Sequence, residues 1–509
     1  MSFLSSYVIR SNATAQNSTT VGWVNSSTDR GTIDILWSCS ITIFLCCWVA
    51  TQPTPGAATD KWYHPFVDKV HLAMIGLLGP EFLFGIALGQ LSSARRCVKL
   101  FRKDSHLLHG TKWTYSYAFF VNMGGIHLTS PDFPGGFPIT GQQLHYLLQH
   151  DHVDFPDMKA MAVGERNTRD TLSKLVTVWQ VLFFSITELQ RIRKGLSTTT
   201  IEITALSYAA AMIATSVCWF KKPSITKPQT ITTKNGKLVY QIRTEAQEQT
   251  HPDLKLEVWY RTPMEFVTDD IWGIDTHWSY YTQLTHYMRF LVVSRPLNTR
   301  PWNRLPSDQW LPPDNILLPF GALVHAMFNV SFVIPWNFHF PTNVERWLWR
   351  GFSIYQLVFA AYGGVYYIIE VIRWQKLMSM NRNGDNLEDP TLDNDRSAQA
   401  RTYLPPMSGD LNSESHLSGQ GLIDPTPNRG EFRWYWKIQR WLNSARNISR
   451  DVDPRMEMSL RVLGPVSVTC ALYIIARLFL YIEDFASLRA QPADTYQTVN
   501  RFIPFLGSG

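Results

Sequence analysis

Glu81 is the residue whose type and place most suggest chemistry. It stands inside the apolar run M-I-G-L-L-G-P-E-F-L-F-G-I-A-L. A carboxylate in such a run is costly and marks a cavity or a partner. Gly79-Pro80 just before it breaks the helical hydrogen-bond ladder. A broken helix beside an acid is how many membrane sites are built. Such a desolvated acid suits proton donation to an alkene or epoxide, with aromatic faces stabilising the cation that forms. The alternative is structural: Glu81 caps a half-helix or pairs with an Arg or Lys. Glu188 and Glu202 flank a turn between two apolar segments, with Gln180 further inside. His325 and Asn329 are four apart and share one helix face. A membrane His with an Asn suits an acyltransferase or, more commonly, a hydrogen bond between helices. Arg477 and Glu483 are six apart, on different faces of the last segment. The run from Gln149 through His150, Asp151, His152 and Val153 to Asp154, with His145 upstream, reads as a polar surface loop, because it lacks the spacing of a zinc motif. No metal site and no cofactor are expected. There is no G-x-S-x-G elbow, P-loop, Rossmann glycine run or H-E-x-x-H.

These residues must be positioned by membrane helices. Seven apolar segments, at 33–51, 70–90, 172–189, 201–220, 316–335, 351–371 and 461–482, are long enough to cross a bilayer. Each should be helical, because lipid offers the backbone no hydrogen-bond partner. Trp37, Trp48, Trp219 and Trp336 near segment ends fit an interfacial belt. Trp113 to Leu128, shorter and interrupted by Gly124-Gly125, is an eighth candidate that crosses, re-enters or lies in the interface. The expected fold is an all-α integral membrane protein of seven or eight transmembrane helices with two large hydrophilic loops.

Composition excludes other classes. The 509 residues are 45% hydrophobic, 13% aromatic and 17% charged, too aromatic and charge-poor for a disordered chain. A net charge of +6 over this length does not suggest a nucleic-acid partner. Five of the six cysteines lie in apolar runs and none forms a C-x-x-C pair. Residues 1–32 are polar and carry glycosylation sequons at Asn12, Asn17 and Asn25, which point to a lumenal N-terminus. The basic stretch Arg95, Arg96, Lys99, Arg102, Lys103 and Lys112 asks for the cytosol, yet follows two apolar segments. With two crossings before it the two signals conflict, so the N-terminus is either cytosolic with seven spans or lumenal with eight. The organisation reads as 33–220, a first membrane portion; 221–315, an aromatic-rich hydrophilic region; 316–371, two spans; 379–430, a disordered linker; 431–445, an interfacial or plain buried helix; 461–482, the last span; and 483–509, a C-terminal segment.

The order of blocks resembles a large family of fungal multi-pass membrane proteins with no established activity. The blocks are D-I-L-W-S-C-S-I-T-I-F-L-C-C-W, K-V-H-L-A-M-I-G-L-L-G-P-E-F-L-F-G-I-A-L-G-Q-L-S-S-A, W-T-Y-S-Y-A-F-F-V-N-M-G-G, L-S-K-L-V-T-V-W-Q-V-L-F-F, T-I-E-I-T-A-L-S-Y-A, P-W-N-F-H-F-P-T-N-V-E-R-W-L-W-R and R-L-F-L-Y-I-E-D-F-A-S-L-R. They run from about 34 to 506. Pro80-Glu81, Gln90, Trp179-Gln180, Glu202, Phe340-Pro341, Glu345, Trp349, Arg350 and Glu483 match the family pattern. Ser185-Ile186-Thr187-Glu188 replaces an expected Ala-Arg pair, and Phe332 stands where the family tends to place His. The resemblance implies an endomembrane or plasma-membrane protein of a fungus with an accessory role in secondary metabolism.

Three functions are consistent with these residues. One is an intramembrane enzyme, or enzyme partner, acting on a lipophilic intermediate. The second is a transporter or exporter of that metabolite. The third is a membrane sensor or scaffold. The expected partners are membrane lipid, a lipophilic small molecule and biosynthetic enzymes.

Overall fold

The computed structural model describes residues 20–25, 30–108, 110–156, 168–224, 227–250, 258–268, 272–289, 295–297, 299–384, 446–449 and 453–498. The chain forms two units, residues 1–371 with 467–509, and residues 372–466. The first unit is mostly helical. In chain order it holds β1 (Thr20–Val21), α1 (Thr32–Ala50), α2 (His64–Leu78), α3 (Pro80–Lys103), α4 (Tyr115–Asn122), β2 (Ile126–Ser130), β3 (Phe133–Ile139), α5 (Gly141–Gln149), α6 (Thr168–Lys194), α7 (Thr200–Cys218), β4 (Gln229–Thr232), α8 (Val239–Thr250), α9 (Gly273–Tyr287), α10 (Leu318–Ser331) and most of α11 (Asn343–Gly384) and α12 (Leu460–Ala486), then β5 (Gln491–Pro492). Of the second unit, the stretch from Arg446 onward is tied by Met458 N–H donating to the Arg446 carbonyl at 2.9 Å and by an Arg446–Glu457 ion pair.

Among the described residues, five stretches are long and apolar enough to cross a bilayer: Thr32–Ala50, Thr200–Cys218, Leu318–Asn337, Asn343–Lys376 and Leu460–Arg489. They differ in what surrounds them. The apolar window of α7 is 72% buried, whereas that of α11 is 11% buried and that of α12 22%. So α7 is a central helix, and α11 and α12 present apolar side chains such as Val358, Val365, Ile475 and Ile482 outward. Apolar faces left outward at this scale are compatible with a membrane or with a protein partner.

The expected elements change in several places. The run 70–90 is two helices, because Gly79 is extended and Pro80 opens α3. Trp113 to Leu128 is not a span: α4 has eight residues and the chain then enters β2. The fold is therefore not all-α. β2 pairs antiparallel with β3, in register Ile126↔Ile139, and parallel with β4, in register Ile126↔Gln229. The strand is masked in sequence because I-H-L-T-S directly follows an apolar helical run and reads as its tail, and because β3 carries two Pro and two Gly. Finally, α11 runs to Gly384, into the expected linker; the rest of that linker and the 431–445 helix lie outside the described residues.

The two ends of the helix bundle are fixed by hydrogen bonds. At one end β1 pairs antiparallel with β5, with Thr20 opposite Pro492. There Thr32 Oγ1 donates to Tyr496 OH at 3.2 Å, and Arg191 donates to the Thr495 and Gln497 carbonyls at 2.7 and 2.9 Å. The turn between α10 and α11 joins the same end through His339 Nδ1 to the Ala490 carbonyl, 3.2 Å, and an Arg489–Glu345 ion pair. At the opposite end Lys222 Nζ donates to the Gln52 carbonyl at 2.5 Å and Tyr281 OH pairs with Ser467 Oγ at 3.0 Å. His277 meets Tyr366 there at 3.1 Å. The sheet sits beside this opposite end, since Ser116 Oγ donates to the Lys221 carbonyl at 3.0 Å and β4 follows Lys222 closely.

The helix α3 is buried on nearly all sides because glycines let a neighbouring segment lie on it. A Cβ on Gly85 would stand 2.5 Å from the Trp310 ring, and one on Gly89 2.3 Å from the Leu311 carbonyl oxygen. Backbone cannot swing aside as a flexible side chain can. Gly89→Ala should therefore lower stability by about 1–3 kcal/mol, the usual cost of overpacking. Gly135→Ala, which meets nothing within 4 Å, should be close to neutral. Thermal unfolding of both variants in detergent checks this; equal midpoints would contradict the close packing at Gly89.

Candidate functional site

Pro80 occupies the first helical position of α3 and Glu81 lies in its first turn. A carboxylate there faces the positive end of the helix dipole. Its partner comes from the far end of the chain. Arg477, midway along α12, places Nη2 against Glu81 Oε1 in an ion pair, and both side chains are buried. Tyr473, one turn earlier, donates its hydroxyl to the same Glu81 oxygen at 2.5 Å and accepts from Arg477 Nη2 at 2.6 Å and Nε at 3.2 Å. Four rings surround the guanidinium: Phe328 and Phe332 at 4.9 Å, Tyr473 at 5.1 Å and Tyr481 at 5.8 Å. Tyr208 on α7 donates to the Leu77 carbonyl and meets the Tyr481 hydroxyl; Tyr481 reaches the Leu78 carbonyl at 3.2 Å. The break at Gly79 thus frees carbonyls that two tyrosines satisfy.

This corrects the picture of Glu81 as a lone acid. It is paired, which is the structural alternative its sequence position allowed. Two polar atoms of the cluster remain unsatisfied among the described residues, Glu81 Oε2 and Arg477 Nη1, each buried. One accepts and the other donates, so together they complement a hydroxyl or a water.

The other expected residues go elsewhere. Thr199 and Glu202 form a capping box that opens α7: the Thr199 N–H and hydroxyl donate to Glu202 Oε2 at 2.8 and 2.9 Å. Glu202 Oε1 takes an ion pair with Arg30. Arg30 also lies 3.6 Å from Glu188 Oε1, and Arg191 lies 3.7 Å from Glu188 Oε2. Two carboxylates are therefore balanced by two arginines, a closed arrangement that joins α1, α6 and α7. His325 and Asn329 do share a face, but both bond to their own helix. His325 Nδ1 lies 3.0 Å from the Gly321 carbonyl and Asn329 Nδ2 donates to the His325 carbonyl at 2.9 Å. Glu483 faces Glu345 and Arg489 rather than Arg477, so Arg477 and Glu483 serve different partners. The His-rich stretch divides: Asp151 and Asp154 are exposed and pair with Lys234 at 2.5 and 3.0 Å, whereas His145 is buried against Asp104 at 2.8 Å. Asn25 is exposed; Asn12 and Asn17 lie outside the described residues.

A third polar cluster was not anticipated. Gln90 Oε1 accepts from Trp219 Nε1 and from Lys222 Nζ, each at 3.0 Å, while Gln90 Nε2 donates to the Ser307 carbonyl at 3.1 Å. The cavity beside it, lined by Thr54, Gln90, Asn122 and Gln309, has a volume of about 10 Å³. That is room for about one water, not for a lipophilic metabolite.

Residues 3–244 match the model of a family of unknown function (DUF8562). The match includes Glu81, Gln90, Glu188 and Glu202 and stops short of Arg477. No curated protein and no solved structure matches the chain.

Outside the helical spans, two carboxylates give opposite pH dependences. Burial opposes ionisation of Asp60, but Arg295, the Ala57 N–H and His64 outweigh it and bring Asp60 down to about 2. Its contribution is present above the ordinary carboxylate range and is lost as pH falls toward 2. Burial pushes Asp275 up to about 6, against the pull of Arg261 and the Trp310 N–H. Its contribution is complete below the ordinary range near 4 and is lost as pH rises through 6. The expected result is that Asp275→Asn flattens the fall in unfolding temperature between pH 4 and 7. An unchanged slope would show that Asp275 does not titrate there.

Proposed function

We propose that this protein is a multi-pass membrane protein of an endomembrane or the plasma membrane, serving fungal secondary metabolism. In this reading it acts on a lipophilic intermediate within the membrane, as an enzyme or as the obligate partner of one. The observation that carries the proposal is the buried Glu81–Arg477–Tyr473 cluster, with one acceptor and one donor unsatisfied, inside a shell of aromatic rings. Charged groups within apolar helices are expensive and tend to mark the functional centre. In this reading Tyr473 turns its one O–H proton from Glu81 to a substrate hydroxyl or epoxide oxygen, Arg477 stabilises the tyrosinate left behind, and water returns the proton. The aromatic faces of Phe328, Phe332 and Tyr481 would then lie near developing positive charge.

A transporter of the same metabolite is the second reading. It is favoured by the discontinuity at Gly79, where the start of α3 points its dipole at the polar cluster. The exposed Asn25 sequon accords with an N-terminus carrying glycans.

The test is metabolite profiling of cells and medium from a deletion strain complemented with variants. Tyr473→Phe keeps the ring and the ion pair and removes the hydroxyl. The enzymatic reading expects it to cut final product at least about tenfold at unchanged protein level, with an earlier intermediate accumulating. Product retained inside the cells would favour transport, and full product from both Tyr473→Phe and Glu81→Gln would end the assignment of this cluster.

A further inference from the structure

The contacts at the two ends of the bundle determine how the chain must thread a bilayer. This inference rests on the membrane reading above. β1 precedes α1 and β5 follows α12, and the two strands are hydrogen-bonded to each other. Both therefore lie on one face, and the number of crossings between them must be even. Five, the number of apolar helices among the described residues, is odd.

The missing crossing is α6. Its last turns join the terminal end, where Arg191 bonds Thr495 and Gln497 and Glu188 meets Arg30. One turn further back, Phe184 packs in a cluster with Ile35 and Cys39 of α1, so the two helices run antiparallel. With 27 residues α6 extends about 40 Å at 1.5 Å per residue, more than the 30 Å of a hydrocarbon core. It thus leads from the opposite end, where the sheet sits, to the terminal end.

The helices α2 and α3 then do not cross at all. Asp68, near the start of α2, pairs with Arg295 at 2.6 Å. Arg304 donates to the Arg295 carbonyl at 2.7 Å, and Gln90, nine residues after Glu81, donates to the Ser307 carbonyl at 3.1 Å. Further along α3, Arg96 donates to the Pro312 carbonyl at 2.8 Å. Both arms of the pair are therefore held by the one segment 295–312, at the end opposite the termini. Between them Leu77, Leu78 and Glu81 contact Tyr208, Tyr481 and Arg477, which stand well inside α7 and α12. Lipid would not tolerate the irregular backbone at Gly79, but here it is surrounded by protein.

We infer that α2 and α3 form a re-entrant hairpin with Glu81 at its tip, that the chain crosses six times, by α1, α6, α7, α10, α11 and α12, and that the hairpin enters from the cytosolic face. The orientation follows from charge. Arg95, Arg96, Lys99, Arg102, Lys103, Lys112, Lys221, Lys222 and Lys227 all fall at the end opposite the termini. Arg30, Arg191, Arg193, Lys194, Arg346, Arg350 and Arg489 lie on the terminal side, but Arg30, Arg191 and Arg489 are neutralised there by Glu202, Glu188 and Glu345. With the hairpin returning to the side it came from, the sequon at Asn25 faces the lumen and the basic run after α3 faces the cytosol. The two signals agree once α2 and α3 are not counted as a crossing.

The experiment is single-cysteine labelling of the full chain in sealed microsomes with a membrane-impermeant maleimide. Ala58→Cys, Lys103→Cys and Gly135→Cys, all at exposed positions, are expected to label from the cytosolic side. Thr20→Cys and Gln497→Cys are expected to label only after the membrane is opened. Ala58→Cys and Lys103→Cys labelling from different sides would show that the hairpin crosses. Thr20→Cys and Gln497→Cys on different sides would break the even count, and Thr20→Cys labelling from outside intact microsomes would invert the orientation. Extraction by alkaline carbonate, read on the same preparation, separates failure of the membrane reading from failure of this topology.

Discussion

A guanidinium and a carboxylate that meet away from water constrain everything around them. Removing one partner of such a pair leaves an uncompensated charge, at a cost of about 3–5 kcal/mol. In this protein the partners are Glu81 and Arg477, nearly 400 residues apart in sequence and in direct contact. The hairpin of α2 and α3 can be seated only when α12 is in place beside it. Tyr473, Tyr208 and Tyr481 extend the pair by satisfying oxygens that would otherwise be stranded at the helix break. Four of the chain's many aromatic residues give this charge a polarisable, water-excluding shell.

The second ionic cluster does a different job. Arg30, Glu188, Arg191 and Glu202 are paired two against two, and Glu202 spends its other oxygen on the cap of α7. It sits where the first helix, the turn between α6 and α7, and the C-terminal strand come together. Both clusters hold buried charged atoms without a hydrogen bond among the described residues. The Glu81 cluster differs in its surroundings: it stands at a helix break, and four aromatic rings enclose its guanidinium. That shell is the physical reason for placing function at Glu81 and architecture at Glu202.

Much of this was legible in the sequence, unevenly. Gly79-Pro80 announced a break, and the break is there, because proline has no N–H to give and fits the first turn of a new helix. The apolar segment read at 201–220 likewise corresponds to α7, which starts at Thr200. Local chemistry could not reveal that Arg477 belongs to Glu81: the partner of a buried acid is set by packing. A signal did exist, since Arg477 is a guanidinium in the middle of an apolar segment and needs a buried anion. The β-strands around Leu128 are hard to read because the short alternation I-H-L-T-S runs on from an apolar helical segment, and the Pro and Gly of β3 argue against a strand. His325 and Asn329 share a face as their spacing requires, yet spacing says nothing of whether a side chain bonds across to another helix or back to its own.

The central claim is that Glu81 and Arg477 are coupled through a direct interaction that holds the hairpin against α12. A double-mutant cycle measures this, with Glu81→Gln, Arg477→Met and the combined variant compared by thermal unfolding in detergent. The account expects each single change to lower the unfolding temperature strongly. The combined variant, which removes both charges, should be more stable than the sum of the two losses allows, by an interaction of about 1–3 kcal/mol. Losses that simply add would mean that the two charges do not depend on each other, and would contradict the account.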